Sequence, residues 1–162
     1  MTDTPDTRPL LLGLNNPLSD SPKMALWPEP TNCTGWRIWR MVGCSKEDYI
    51  RGFDRRNLLD ATHYSRQAVR HYREIWEKLA GRRVLVLGVQ VLGELLYAGV
   101  VSRRPPWILP QKGDGPLEWR LIPHPSGLCR EYNDPSMSIR VSLLLQDWWH
   151  NHSGRSDMRE VG

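Results

Sequence analysis

The sequence predicts an α/β fold, a three-layer α/β/α sandwich around a short, mostly parallel central sheet. Three observations predict it. Strand-length apolar runs stand at Leu10–Leu14, Val84–Gly88 and Leu117–Ile122, each ending in glycine or a polar loop. Runs that are apolar at successive positions fit strands covered on both faces, the condition of a parallel sheet. Helix-period segments separate them, so strand and helix alternate and helices are expected on both faces. In such sheets ligands sit outside the carboxyl ends of the strands.

Residues 1–8 read as a flexible N-terminus, residues 9–150 as a single domain and residues 151–162 as a flexible tail. The first strand stops at Asn15-Asn16-Pro17, and the prolines between Leu18 and Cys33 forbid a helix there. Thr34-Gly35 opens a helix over Trp36–Val42 with Ile38, Trp39 and Met41 as inward positions. Ser45 with Asp48 three residues on resembles a cap for a shorter helix to Arg51. Phe53–Asp60 reads as an extended segment with a turn at Asp60. The spacing of Val69, Tyr72, Ile75, Trp76 and Leu79 predicts a helix over Thr62–Leu79, with Gly81 as its stop. Val89–Tyr97 is the helix after the second strand, residues 99–116 are mostly loop, and the last helix covers about Ser136–His150.

Composition narrows the function classes. The chain has 162 residues with 22 Lys and Arg against 18 Asp and Glu, a net charge of +4 that permits nucleic acid as a partner without demanding it. No apolar run approaches the ~20 residues of a membrane-crossing helix, and the first residues carry acids rather than a signal sequence. The three cysteines, Cys33, Cys44 and Cys129, show no Cys-x-x-Cys. They cannot supply a four-thiolate metal site from one chain, and they fit a reduced, cytoplasmic protein. Of the nine Lys and Arg between Arg51 and Arg83, a solvated helix face accounts for many.

Three polar positions at strand ends carry the candidate chemistry. His124 lies between Pro123 and Pro125 and is followed by Ser126-Gly127, so a stiff backbone holds the imidazole. The alternative is a turn with a solvated histidine. Asn15 and Asn16 follow Gly13-Leu14; they are either a turn formula or an amide that positions water. Asparagine is a poor base, so a reaction there needs a good leaving group. Asn57, between a basic pair and two leucines, either satisfies a bend or reads the donor–acceptor edge of a base. Thr34-Gly35 fits a helix cap and an amide-lined anion site alike.

Taken in order, these segments resemble the uracil-DNA glycosylase superfamily over roughly residues 10–130. Leu10-Leu11-Leu12-Gly13-Leu14-Asn15 is similar to its first strand ending in Gly-x-Asn. Val84-Leu85-Val86-Leu87-Gly88-Val89-Gln90 is similar to the strand and Leu-Gly-x-Gln of the mismatch-specific branch. Leu121-Ile122-Pro123-His124-Pro125-Ser126-Gly127-Leu128-Cys129-Arg130 is similar to the His-Pro-Ser loop of the uracil-specific branch and to the Asn-Pro-Ser-Gly-Leu-Ser-Arg loop of the mismatch-specific one. Asparagine in the first motif with histidine in the third is the pairing of the single-strand-selective branch.

The resemblance implies a monomeric, metal-free and cofactor-free enzyme. It flips a nucleotide out of DNA and hydrolyses the bond between base and sugar. It implies that Asn15 orients the water and that His124 donates to O2 of the departing pyrimidine. Gly13, Leu14, Asn16, Trp27 and Asn57 would surround the base, with Trp27 either stacking on it or anchoring its loop against the core. Ser126 and Gly127 would meet phosphate, Leu128 would fill the gap left by the base and Arg130 would hold the strand.

Two departures matter. Proline follows the asparagine directly in the mismatch-specific branch, whereas here Asn16 intervenes, so Asn16 shares the role of Asn15 or the turn is longer. The strict uracil enzymes place after the first motif a tyrosine that blocks 5-substituents; here the nearest aromatic is Trp27, so a pocket accepting 5-substituted uracils is expected. No lysine stands at the strand ends, against a Schiff-base lyase step. The alternatives are an inert DNA-binding module on the same fold and an N-glycosidase acting on free nucleosides or nucleotides.

Overall fold

The computed structural model describes residues 7–65, 82–112, 118–126 and 129–151. Five strands form one sheet: β1 (Leu10–Gly13), β2 (Asp54–Asn57), β3 (Arg83–Leu87), β4 (Gln111–Lys112) and β5 (Glu118–Ile122), in the order β2-β1-β3-β5-β4. The first four in that order are mutually parallel, and β4 is an antiparallel edge on β5. The helices are α1 (Thr34–Val42), α2 (Lys46–Gly52), α3 (Val89–Tyr97) and α4 (Pro135–His150). The expected three-layer α/β/α sandwich is present.

Alternation along the strands divides the core in two. Leu10, Leu12, Val84, Val86 and Leu121 face α3 through Val91, Leu92 and Leu95. Leu11, Leu85, Leu87 and Ile122 face α1, α2 and α4 through Ile38, Val42, Tyr49, Val141, Leu145 and Trp148. Val84 to Leu87 are fully buried, which accounts for their unbroken apolar run. No helix among the described residues is long and apolar enough to cross a membrane.

Caps set the helix limits. Ser45 Oγ accepts from Asp48 N at 3.1 Å at the head of α2, and Asp134 Oδ1 accepts from Ser136 N at 3.0 Å at the head of α4. The α1 helix starts at Thr34 because the Cys33 thiol, rather than a hydroxyl, accepts from Trp36 N at 3.4 Å. Ile38 is buried in α1 as expected, Trp39 and Met41 are half-buried and pack against the same core, and Val42 is buried as well. The expected Thr62–Leu79 helix fails at its start, since residues 62–65 are not helical; residues 66–81 lie outside the described residues. The two ends, 1–6 and 152–162, lie outside them as well.

The amino-terminal rim of the sheet is tied by charge. Asp54 at the start of β2 meets Arg82, just before β3, at 3.0 Å, with both side chains 10% exposed, and Arg56 joins at 3.1 Å. Arg82 also donates to the Arg8 carbonyl at 2.8 Å. Arg83 lies 5.3 Å from the Trp148 ring. Several of the arginines between residues 51 and 83 thus hold the fold together rather than forming a free basic face.

Gly88 closes β3 at φ 93° and ψ 166°, backbone that is essentially restricted to glycine. A Cβ there would stand 2.8 Å from the His124 Cβ. Gly88→Ala is therefore expected to reduce unfolding free energy by about 1–3 kcal/mol, read from the urea midpoint at unchanged slope.

Candidate active site

Parallel pairing brings the carboxyl ends of β1, β2, β3 and β5 to one rim, where a cavity of about 520 Å³ opens. The end of β1 and the loop after it, the 24–35 segment, the end of β2, the start of α3 and the loop after β5 line it. Seven of the residues expected at the site border this one cavity: Gly13, Leu14, Asn15, Asn16, Trp27, Asn57 and His124.

Gly13 pairs in register with Asn57. A Cβ on Gly13 would fall 2.4 Å from Asn57 Oδ1, so glycine is what lets that amide lean over the strand end. Asn57 is only 8% exposed, and its side-chain amide has no hydrogen-bond partner among the described residues. At the cavity wall the donors and acceptor of this amide can be completed by a ligand or by water.

The two adjacent asparagines do different work. Asn16 Nδ2 donates to the Met24 carbonyl at 3.1 Å, and Asn16 Oδ1 accepts from Leu18 N at 2.9 Å. Both ends of that amide hold the loop in an Asx turn. Asn15 Nδ2 donates to the carbonyls of Ala61 and Thr62 at 3.1 and 3.2 Å. Its amide plane is fixed from behind, and its Oδ1 accepts no hydrogen bond among the described residues. Of the pair, Asn15 is the one whose acceptor is free for water.

His124 is held from its neighbours. Tyr132 Oη donates to the Pro123 carbonyl at 2.6 Å, and Ser126 N donates to the His124 carbonyl at 2.8 Å. Burial pulls the imidazole pKa below its ordinary 6.5. At pH 7 it is neutral, with one N–H to donate.

Trp27 sits on a loop fastened at several points. Arg55 of β2 donates to the Ala25 carbonyl at 2.8 Å, and its guanidinium lies 5.2 Å from the Trp27 ring. Tyr49 Oη donates to the Leu26 carbonyl at 2.8 Å, holding Leu26 at φ 51°. Gly35 lets the start of α1 press against this loop, since a Cβ there would meet the Trp27 carbonyl at 2.1 Å.

Ser126 lies elsewhere, with Pro125, on a neighbouring cavity of about 200 Å³. Arg130 is exposed on a 3₁₀ turn, Arg130–Asn133, and borders neither cavity. Gly127 and Leu128 lie outside the described residues. The sequence reading missed Gln90, Leu26, Glu29, Asn32 and Cys33, all on the large cavity. Gln90 had a signal in Leu87-Gly88-Val89-Gln90. The loop residues had none, because the Arg55 and Tyr49 contacts that bring them there span roughly 20 to 30 positions of chain.

The cavity thus offers a free carbonyl oxygen, a complete amide and a neutral imidazole. Among the described residues its one charged lining residue is Glu29, 3.3 Å from Lys46 Nζ. Such a set suits a neutral, planar, polar ligand and contains no strong base.

The depressed pKa of His124 has a stability consequence. Between the folded value and 6.5 the unfolded chain binds more protons, so stability falls as pH drops through 6.5 and levels off below the folded pKa. His124→Gln is expected to flatten that part of the curve, measured by urea unfolding between pH 5 and 7.5.

The chain matches no protein-family model, and no curated protein matches it at a significant level.

Proposed function

We propose that the chain is a monofunctional DNA glycosylase that flips a uracil-like or modified pyrimidine into the cavity and hydrolyses its N-glycosidic bond. The observation that carries this reading is the convergence of Asn15 Oδ1, the Asn57 amide and neutral His124 on one cavity.

Each group has a part in the reaction. The Asn57 amide, with one acceptor and two donors, complements the N3–H and O4 edge of uracil. Trp27 supplies a face for stacking. Asn15 Oδ1 accepts from a water and aims its oxygen at C1′ of the sugar. As the C1′–N1 bond breaks, its electron pair leaves with the pyrimidine and charge collects on O2. His124 donates its N–H to that oxygen, and as a neutral imidazole it stabilises the charge by a hydrogen bond rather than by giving up its proton. The water oxygen bonds to C1′, its proton passes to solvent, and an abasic site and free base remain. Because Asn15 removes no proton strongly, the stability of the leaving anion sets the reaction's scope.

The DNA-side roles of Ser126, Gly127, Leu128 and Arg130 belong to this proposal, as does a cytoplasmic setting in which the free thiols of Cys33, Cys44 and Cys129 stay reduced. The reading has DNA as the partner and no metal or cofactor.

The decisive experiment incubates the protein with oligonucleotides bearing uracil, 5-hydroxymethyluracil or hypoxanthine and then cleaves abasic sites with alkali. Scission at uracil and at 5-hydroxymethyluracil is expected. No scission with any oligonucleotide overturns the enzyme reading, and strict selectivity for uracil overturns the open pocket. Release from a free nucleoside as fast as from DNA favours the nucleosidase alternative instead.

His124→Ala is expected to lower single-turnover release about 10²–10³-fold, the usual cost of one transition-state donor. Asn15→Ala should fall at least as far as a water-positioning loss of about 10²-fold. Both should leave DNA binding intact, checked by fluorescence anisotropy.

A further inference from the structure

The smaller cavity lies on the other side of the His124 loop. It is bordered by Trp36, Arg37 and Arg40 of α1, by Ser126 and Tyr132, and by Ser138 near the start of α4. His124 borders one cavity and Ser126 the other, and two residues of chain keep their Cα atoms within about 7 Å of each other. That is close to the reach between a nucleoside and an adjoining phosphate.

The chemistry of the smaller cavity is that of an anion site. Among the described residues its charged lining residues are Arg37 and Arg40, with no acid beside them. Neither arginine has a carboxylate partner among the described residues. Arg37 uses Nε on the Asn32 carbonyl at 3.2 Å, leaving its terminal nitrogens free. Arg40 makes no hydrogen bond among the described residues; it rests 5.7 Å from the Trp36 ring and 5.9 Å from the Trp39 ring. At i and i+3 on α1 the two guanidinium groups share a helix face. The hydroxyls of Ser126 and Ser138 also have no hydrogen-bond partners among the described residues. Two forked cations with two hydroxyls match the oxygens of a phosphate ester.

We infer that this cavity binds a phosphate ester of the substrate, the one attached to the nucleoside whose base occupies the large cavity, with Arg37 and Arg40 as its principal contacts. The inference rests on the function proposed above only in naming which nucleoside is attached. The phosphate can come from a DNA strand or from a free nucleotide. The strand is favoured, because the cavity is open at the surface and flanked by the segment that carries Arg130.

The test reads binding, so it holds whether or not base release is seen. Affinity of a fluorescein-labelled single-stranded oligonucleotide is measured by anisotropy across a salt series for the unaltered chain and for Arg37→Gln, Arg40→Gln and the double variant. Arg51→Gln serves as a control, since Arg51 is exposed on α2 away from both cavities. The slope of log K against log salt should become shallower by about 0.7 for each arginine removed from the cavity, with Arg51→Gln leaving it unchanged. Thermal melts confirm folding, and Arg40→Gln, which breaks no hydrogen bond among the described residues, keeps the test valid if Arg37→Gln loosens the Asn32 loop. Competition by unlabelled uridine monophosphate, compared with uridine, separates the two phosphate sources. Preference for the strand is expected, and equal competition by monophosphate overturns the strand assignment. An unchanged slope in the double variant, or an equal loss in Arg51→Gln, overturns the site. Altered slopes without base release from any oligonucleotide would keep the phosphate site and discard the glycosylase.

Discussion

Four parallel strands that start at one rim must all finish at the other, and this fixes where every polar residue of the candidate site can be. The loops after β1, β2, β3 and β5 have no choice of edge. What remains is the approach between those loops, and two strand-end glycines set it. At Gly13 the missing Cβ leaves room for Asn57, and at Gly88 for His124. The close approach of Asn57 and His124 to the strand ends depends on two positions at the top of the sheet that carry no side chain.

Strong apolar periodicity made most of the sheet legible. The runs at Leu10–Leu12 and Val84–Leu87 could be read as buried strands because covering on both faces removes the need for polar positions. The caps of α2 and α4 follow equally local rules. The start of α1 was misplaced by two residues, because a thiol at Cys33 does the capping usually done by a hydroxyl. The Thr62 start failed where residues 61 and 62 turn their carbonyls toward Asn15 instead of into a helix. At the site, residues next to glycines and prolines in the strand-end motifs were found. Those brought in by distant contacts were not: Leu26 arrives through Tyr49, and Glu29 and Asn32 come with the same loop. The division of labour between Asn15 and Asn16 was invisible in sequence, since it depends on which carbonyls lie behind each amide.

The two rims of the sheet are built for different purposes. At the amino end Asp54 pairs with both Arg56 and Arg82, and the arrangement stitches β2 to β3 across β1. At the carboxyl end Asn15 Oδ1, the Asn57 amide and His124 border the cavity, while their supports are tied to backbone carbonyls: Arg55 to Ala25, Tyr49 to Leu26 and Tyr132 to Pro123. Burial pushes the phenols of Tyr49 and Tyr132 upward, keeping both as donors across the physiological range. A pocket braced in this way is formed before its ligand arrives, so binding has little loop ordering to offset.

The two carbonyls behind Asn15 also decide which residue the position can hold. An aspartate has the same outline and would be the stronger base, yet its second oxygen would stand against two carbonyl oxygens at the 3.1 and 3.2 Å now bridged by Nδ2. It would have to take up a proton, and so lose its basicity, or release residues 61 and 62. The backbone turn after β2 thereby acts as a filter on the chemistry: it admits an amide, excludes a carboxylate, and confines any hydrolysis at this rim to bonds whose leaving group is already stable.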